Sequence, residues 1–187
     1  MITLKPEKGY LLIAEPSIIG DMSFNRSIIL LADHGTEGSI GFILNKPLQY
    51  KLKDLITDTD ADFKIYNGGP VEQDNLYFIH KVPDLIPDSI EISLGIYWGG
   101  DFEVVLDLIN KNMLKPSDIK FFLGYSGWEP NQLDMELQSN SWVVSMNMYK
   151  NGIIEKSYDN FFWKEKMLEL GGDYSIWSNA PENPSYN

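Results

Sequence analysis

Two apolar runs separated by six residues constrain the fold of this chain most. Ser27 to Ala32 and Ser39 to Leu44 are largely aliphatic, and Asp33-His34-Gly35-Thr36-Glu37-Gly38 between them is polar and bounded by glycine. Short apolar runs around such a segment predict a β-hairpin with an extended loop. Gly9 to Ala14 reads as a preceding strand. Phe63 to Tyr66, Leu76 to Ile79, Ile90 to Ile92, Gly95 to Trp98 and Ile119 to Gly124 read as later strands. Asn67-Gly68-Gly69-Pro70 is a turn signal between two of them.

Helical spacing is clearest from Asp101 to Asn112. Phe102, Val105, Leu106 and Ile109 follow i, i+3, i+4, i+7, and Asp101 can accept hydrogen bonds from the first-turn amides. Residues 51–56, Pro130 to Gln138 and Asp159 to Leu170 are further helix candidates, the last closed by Gly171-Gly172. Alternation from Trp142 to Tyr149 predicts a strand with one buried face. Asn151-Gly152 then predicts a type I′ turn, with Ile153 and Ile154 returning antiparallel. Hairpins and helices mix without regular βαβ alternation, which predicts an α+β fold. The length suits one domain, 1–187, with an irregular tail over 178–187.

Charge excludes some functions. The formal net charge is −12, and Arg26 is the only arginine among 15 basic residues. DNA binding needs clustered Lys and Arg, so nucleic acid is not an expected partner. Cysteine is absent, which removes disulfides, thiolate metal sites and thiol nucleophiles. The start, Met1-Ile2-Thr3-Leu4-Lys5-Pro6, lacks the apolar stretch of a secretion signal. The longest aliphatic run, Ile28 to Ala32, is too short for a membrane span. A cytoplasmic protein is expected.

Several blocks together carry a resemblance. They are Gly9-Tyr10-Leu11-Leu12-Ile13-Ala14-Glu15-Pro16, Phe24-Asn25-Arg26-Ser27-Ile28-Ile29, His34, and Gly41-Phe42-Ile43-Leu44-Asn45-Lys46-Pro47. Gly68-Gly69-Pro70-Val71, Leu76 to His80, and Gly124-Tyr125-Ser126-Gly127-Trp128 follow. Then come Gln132-Leu133, Glu136-Leu137 and Asn140-Ser141-Trp142. In this order they resemble the YqgE/AlgH family. That resemblance implies an α+β fold whose largely antiparallel sheet curls into a pseudo-barrel with flanking helices. It implies no established enzyme activity, although one branch of the family is named for transcriptional regulation of polysaccharide production. Two departures stand out: Ser126 replaces the family's usual Ala, and residues 181–187 lie outside the shared blocks.

No catalytic constellation is complete. Gly124-Tyr125-Ser126-Gly127-Trp128 has Trp128 where a nucleophile elbow needs glycine, so it reads as a strand-to-helix turn. Asp58-Thr59-Asp60-Ala61-Asp62 opens like a calcium loop, but Phe63 and Gly69 occupy its glycine and glutamate positions. Asp33, His34 and His80 lack local ligand spacing, so no metal is expected. Arg26 can brace several carbonyls or pair with Asp21 or Asp33. Asn45, Lys46 and Tyr125 could join it in a polar pocket, Gly68 and Gly69 could offer amides to an anion, and His80 reads as a structural histidine at a strand end. Arg26, Asn45, Lys46, Gly68, Gly69, His80 and Tyr125 are therefore the ligand-binding candidates, with no catalytic residue and no cofactor. The leading expectation is a non-catalytic interaction or regulatory protein that binds a protein or small ligand, as monomer or homodimer. Trp98, Trp128 or Trp177 would display its aromatic surface. The alternative is a ligand sensor or enzyme with a pocket around Arg26, Asn45, Gly69 and Tyr125, and direct DNA-binding regulation ranks below both.

Overall fold

The computed structural model describes residues 4–18, 21–156 and 160–181. The N-terminal half contains β1 (Leu11–Ala14), β2 (Ile28–Gly35), β3 (Gly38–Ile43), β4 (Pro47–Lys51), α1 (Leu52–Leu55), β5 (Lys64–Asn67) and β6 (Val71–His80). There follow β7 (Ile90–Ser93), β8 (Ile96–Trp98), α2 (Phe102–Asn110), β9 (Ile119–Trp128), α3 (Gln132–Gln138) and β10 (Trp142–Ser145). A 3₁₀ turn (Lys150–Ile154), α4 (Asn160–Leu170) and α5 (Tyr174–Trp177) end the chain. The order of strands is β10-β1-β2-β3-β9-β6-β8-β7, all antiparallel along this path. β5 adds to β9 in parallel, and β4 pairs with β5. The sheet is not closed, since β10 and β7 are its edges. An α+β fold with a large antiparallel sheet is therefore what the chain forms.

The apolar runs of β1 and β2 are continuous because both faces of the sheet are covered. Leu11, Ile13, Ile28 and Leu30 point to one side, where Phe162, Trp163 and Met167 of α4 pack on them. Leu12, Ala14, Ile29 and Leu31 point to the other, under Leu133 of α3 with Trp128 and Trp142. Further along that side, Val105, Leu108 and Ile109 of α2 cover Ile65, Phe78 and Phe121. The buried stripe of α2 thus runs through Leu108 rather than Leu106, which is only half-buried. Asp101 caps the helix, accepting from the amides of Glu103 and Val104.

The structure departs from the sequence reading at several places, among them the strand expected from Trp142 to Tyr149, which ends at Ser145. The β2–β3 hairpin is tighter than expected: His34 pairs with Ser39 and Gly35 with Gly38, leaving two turn residues, with a bulge between Leu31 and Asp33. Gly124 to Trp128 is no strand-to-helix turn but the second half of β9. Gly68-Gly69-Pro70 is not a hairpin turn either. Leu123 pairs with Asn67 of β5 and with Leu76 of β6, so those strands lie on opposite edges of β9 and the glycine pair crosses over it. Finally, residues 150–154 form a 3₁₀ turn instead of a hairpin return. There the positive φ falls on Lys150 rather than Asn151. The Asn147 side chain holds the turn by accepting from the Tyr149 amide (3.1 Å) and donating to Lys150 O (3.0 Å). The predicted start of the last helix at Asp159, and tail residues 182–187, lie outside the described residues.

Candidate functional site

Arg26, Asn45, Lys46, Gly68 and Gly69 come together where the start of β2 and the end of β3 approach the glycine crossing over β9. Arg26 has a left-handed backbone, with φ of 54°, a strained conformation for a side chain with Cβ. Buried Asn45 holds it there. Its amide donates to Arg26 O (2.8 Å) and its carbonyl accepts from Ile28 N (2.9 Å). The guanidinium of Arg26 reaches the C-terminal segment, donating to Ala180 O (3.2 Å) and Pro181 O (2.6 Å), and lies 5.1 Å from the Trp163 ring. It therefore braces carbonyls. Asp21 accepts instead from the amides of Ser23 and Phe24, and Asp33 from that of His34. Lys46 donates to Ser23 O (2.6 Å), and burial lowers its pKa against the opposing pull of Asp21.

The glycine crossing touches this cluster through the backbone. Asn67 N donates to Lys46 O (2.8 Å), and Ile43 N donates to Gly68 O (3.0 Å). A Cβ on Gly68 would stand 2.2 Å from Gly124 O, and one on Gly69 would stand 2.3 Å from the Tyr125 carbonyl carbon. The chains cross so closely that only glycine fits. Fully buried Ser126 donates through Oγ to Gly68 O (3.1 Å), so its hydroxyl fastens the crossing.

Tyr125 and His80 stand apart from Arg26. Tyr125 packs edge-on against Tyr77, 5.5 Å between centroids, and lines a cavity of about 450 Å³ with Asp33, Glu37, Trp128, Glu129 and Gln132. Arg26, Asn45 and Gly69 do not line that cavity, so the expected shared pocket does not form around it. His80 pairs with Ile119 and Val71 pairs with Tyr125, at opposite ends of β6 and β9. Six residues along β9 separate Ile119 from Tyr125, about 20 Å at strand rise. Val82 N donates to His80 Nδ1 (3.3 Å), which leaves Nε2 as the protonated nitrogen, 3.1 Å from Gly99 O. Neutral imidazole satisfies both bonds, and burial lowers the pKa of His80 accordingly.

Three arrangements had not been legible beforehand. Glu136 gathers the shared blocks: Trp128 Nε1 and Trp142 Nε1 both donate to Oε2 (2.9 and 2.7 Å), and Gln132 Nε2 donates to Oε1 (2.9 Å). Their i, i+4 spacing on a helix beside two tryptophans was the available signal. His34 Nδ1 and Ser39 Oγ lie 2.7 Å apart across the hairpin. Ser39, however, sits in a strand paired on both sides, by β2 and β9. Its backbone is committed to the ladder, and among the described residues no carboxylate bonds to the His34 ring, so the support a nucleophile requires is missing. Lys120 is the third, a lysine inside the apolar run Ile119 to Leu123. No cluster of three metal-ligating side chains occurs among the described residues.

An AlgH-like family model matches residues 11–175. The chain belongs to the AlgH-like family. A UPF0301 protein of Chlorobaculum parvum is 38% identical over 180 residues, covering 96% of this chain and 95% of the relative. One from Bacteroides thetaiotaomicron is 39% identical over 184 residues, covering 97% and 92%. The solution structure of the AlgH protein from Pseudomonas aeruginosa aligns with a TM-score of 0.72 at 25% identity, over 97% of this chain and 98% of that one. The crystal structure of protein DIP2367 from Corynebacterium diphtheriae aligns with a TM-score of 0.74 at 20% identity, over 96% and 95%. These matches confirm the resemblance carried by the motif blocks. No specific function is established for the AlgH-like family, and no described helix of this member is long and apolar enough to cross a membrane.

Proposed function

We propose that this AlgH-like protein acts by binding another protein through the outer face of α4 and α5, without catalysing a reaction. One observation carries the reading: α4 is apolar on both sides. Phe162, Trp163 and Met167 enter the core. Phe161 and Leu168, seven residues apart on one helix face, are 73% and 59% exposed. Ile176 and Trp177 on α5, which packs against α4, are exposed as well. A surface helix ordinarily turns polar residues outward, and clustered exposed apolar side chains mark partner surfaces. Of the three tryptophans considered for display, Trp128 is buried and Trp98 half-buried against the core, so Trp177 alone supports it.

Charge selects the partner. The chain has a net charge of −12, and although Glu165 pairs with Lys156 and Glu169 with Lys166, Asp173 between the two helices belongs to none of the ion pairs among the described residues. Two copies would repel, so the fitting occupant is a different protein whose contacting segment combines apolar residues with Lys or Arg. The polar motif side chains of Arg26, Asn45, Lys46 and Ser126 all bond backbone atoms, which supports a non-catalytic role. Regulation by such a protein runs through protein contact rather than DNA, and the proposal places it in the cytoplasm.

Titrating the isotope-labelled protein with a leucine–lysine amphipathic helix, and with a leucine–glutamate helix of equal length, tests this. The expected result is amide shifts confined to α4 and α5 with the basic peptide only, lost in the Phe161→Ser/Leu168→Ser variant. Shifts spread over the acidic surface elsewhere, no shifts, or dimerisation through this face in light scattering would each overturn it.

A further inference from the structure

Two glycines end β8 while its neighbour β6 runs on. Gly99 and Gly100 both take positive φ, 67° and 119°, which turns the chain off the sheet and into the Asp101 cap of α2. The last pair between β6 and β8 is Ile79 with Trp98. Just past it, Gly99 N donates to Phe78 O (3.0 Å). Gly99 O does not return a bond to Phe78 N, since it turns aside to accept from His80 Nε2 (3.1 Å).

Alternation fixes where the next groups point. In an antiparallel strand the N–H and C=O of one residue face the same neighbour, and those of the next residue face the other. Phe78 O faces β8, so Leu76 presents its N–H and C=O to that side too. The β9 side agrees: Leu123 is the partner of Leu76, yet its carbonyl faces away and accepts from Gly68 N (2.8 Å). Among the described residues no group bonds Leu76 N, Leu76 O or Phe78 N on the β8 side. This stretch of β6 is an open strand edge.

A cavity of about 430 Å³ lies along that edge. Ile56, Leu76, Phe78 and Phe102 line it from the α2 side of the sheet, and Tyr77 and Trp98 from the opposite side. Apolar walls thus stand above and below the sheet plane, with unpaired main-chain groups between them. An added strand has the matching layout, with side chains on both faces and hydrogen bonds in the plane. Charge narrows the occupant. Asp74, two positions from Leu76, and Glu103, beside Phe102, are exposed and belong to no ion pair among the described residues. A second copy would bring the same carboxylates to the edge.

We propose that the open edge of β6 takes up an extended segment of another protein by strand addition, a segment with consecutive apolar residues between lysines or arginines. Its main chain pairs with Leu76 and Phe78, its apolar side chains fill the cavity on both faces, and its basic ends meet Asp74 and Glu103. The site uses none of the residues of the α4–α5 surface, so either can exist without the other.

The isotope-labelled protein and the peptide acetyl-Lys-Lys-Val-Phe-Val-Phe-Lys-Lys-amide supply the test, read by amide hydrogen exchange and chemical shifts. In the free protein the Leu76 amide is expected to exchange faster than that of Tyr77, which faces β9. Saturating peptide is expected to slow Leu76 exchange about tenfold. The same peptide N-methylated through its Val-Phe-Val-Phe core keeps the side chains but loses the main-chain donors, and is expected not to bind. Asp74→Asn/Glu103→Gln should weaken the parent peptide about fivefold, as loss of two screened surface contacts implies. Leu76→Pro removes the edge amide and with it the binding; should that variant not fold, exchange and the N-methylated peptide decide. Unchanged Leu76 exchange, shifts confined to α4 and α5, or equal binding of the N-methylated peptide would overturn the proposal. So would dimerisation through this edge, or a cavity that takes up indole but not the peptide.

Discussion

Glu136 offers the sharpest test of what the family's motif blocks do. Its carboxylate accepts from two indoles and one side-chain amide, and both tryptophans are 5% exposed. Hydrogen bonds to a charged acceptor contribute about 1.5–3 kcal/mol each, and a buried donor left without a partner costs about 1–3 kcal/mol. Glu136 is only half-buried, so water recovers part of the loss. Glu136→Ala is therefore expected to cost about 3–5 kcal/mol. At about 2–4 °C per kcal/mol for a chain of this size, that lowers Tm by about 10 °C. Glu136→Gln keeps an oxygen for the indoles but turns its NH₂ toward Gln132 Nε2. Gln132 cannot flip without giving up its bond from Glu129 N (2.9 Å). That mismatch is expected to cost about 1–2 kcal/mol. Trp128→Phe removes one donor. It should destabilise the wild type by about 1–2 kcal/mol yet be close to neutral in the Glu136→Ala background, because the acceptor is already gone. Urea unfolding followed by tryptophan fluorescence measures all five proteins. A loss below about 1 kcal/mol for Glu136→Ala, or additive effects of the two changes, would refute the account.

Two further perturbations probe the crossing and the histidine. Gly124 has φ of +69°, and a Cβ there would stand 2.6 Å from Gly69 O and 2.7 Å from Val71 O. Gly124→Ala is expected to destabilise by about 3 kcal/mol from backbone strain plus overpacking, whereas Gly152→Ala, with open space around it, should change stability by less than about 1 kcal/mol in the same unfolding assay. Burial lowers the pKa of His80, so the unfolded chain binds more protons on acidification. Its contribution to stability is present above the ordinary histidine pKa of about 6.5 and is lost as pH falls through the lower folded value. His80→Gln should flatten the slope of stability against pH over that acidic window, and an unchanged slope would show that His80 does not titrate with unfolding.

The legible part of the fold was the part set by local pattern. The β2–β3 hairpin and α2 announce themselves because their apolar spacing and the Asp101 cap act within a dozen residues. The crossing at Gly68 was not legible, because glycine next to proline signals a turn whether the chain reverses or passes over a third strand. Gly124 and Gly127 likewise read as a turn around Ser126, although glycine at Gly124 makes room for another backbone within β9. The candidate site was legible only as types of residue. Arg26 suggested carbonyl bracing, but its acceptors, Ala180 and Pro181, lie more than 150 positions away in sequence. Lys120 was hidden by its surroundings: a single lysine in an apolar strand is conspicuous only once both faces of that strand are known to be covered.

The distribution of polar side chains explains why a family with a firm sequence signature carries so little functional information. Asn45 stabilises the strained Arg26, Arg26 ties the C-terminal segment to the β2 entry, Ser126 fastens the glycine crossing, and Glu136 joins α3 to two tryptophans. Each is a joint between separate elements, where an unpaired buried group would be costly. Residues held for that purpose are engaged before any ligand arrives. The proposed partner surface, the outer side of α4, lies outside those blocks. Phe161 and Leu168 follow the last block at Trp142. Functional differences within the family would then track these positions while the joints hold one scaffold in common.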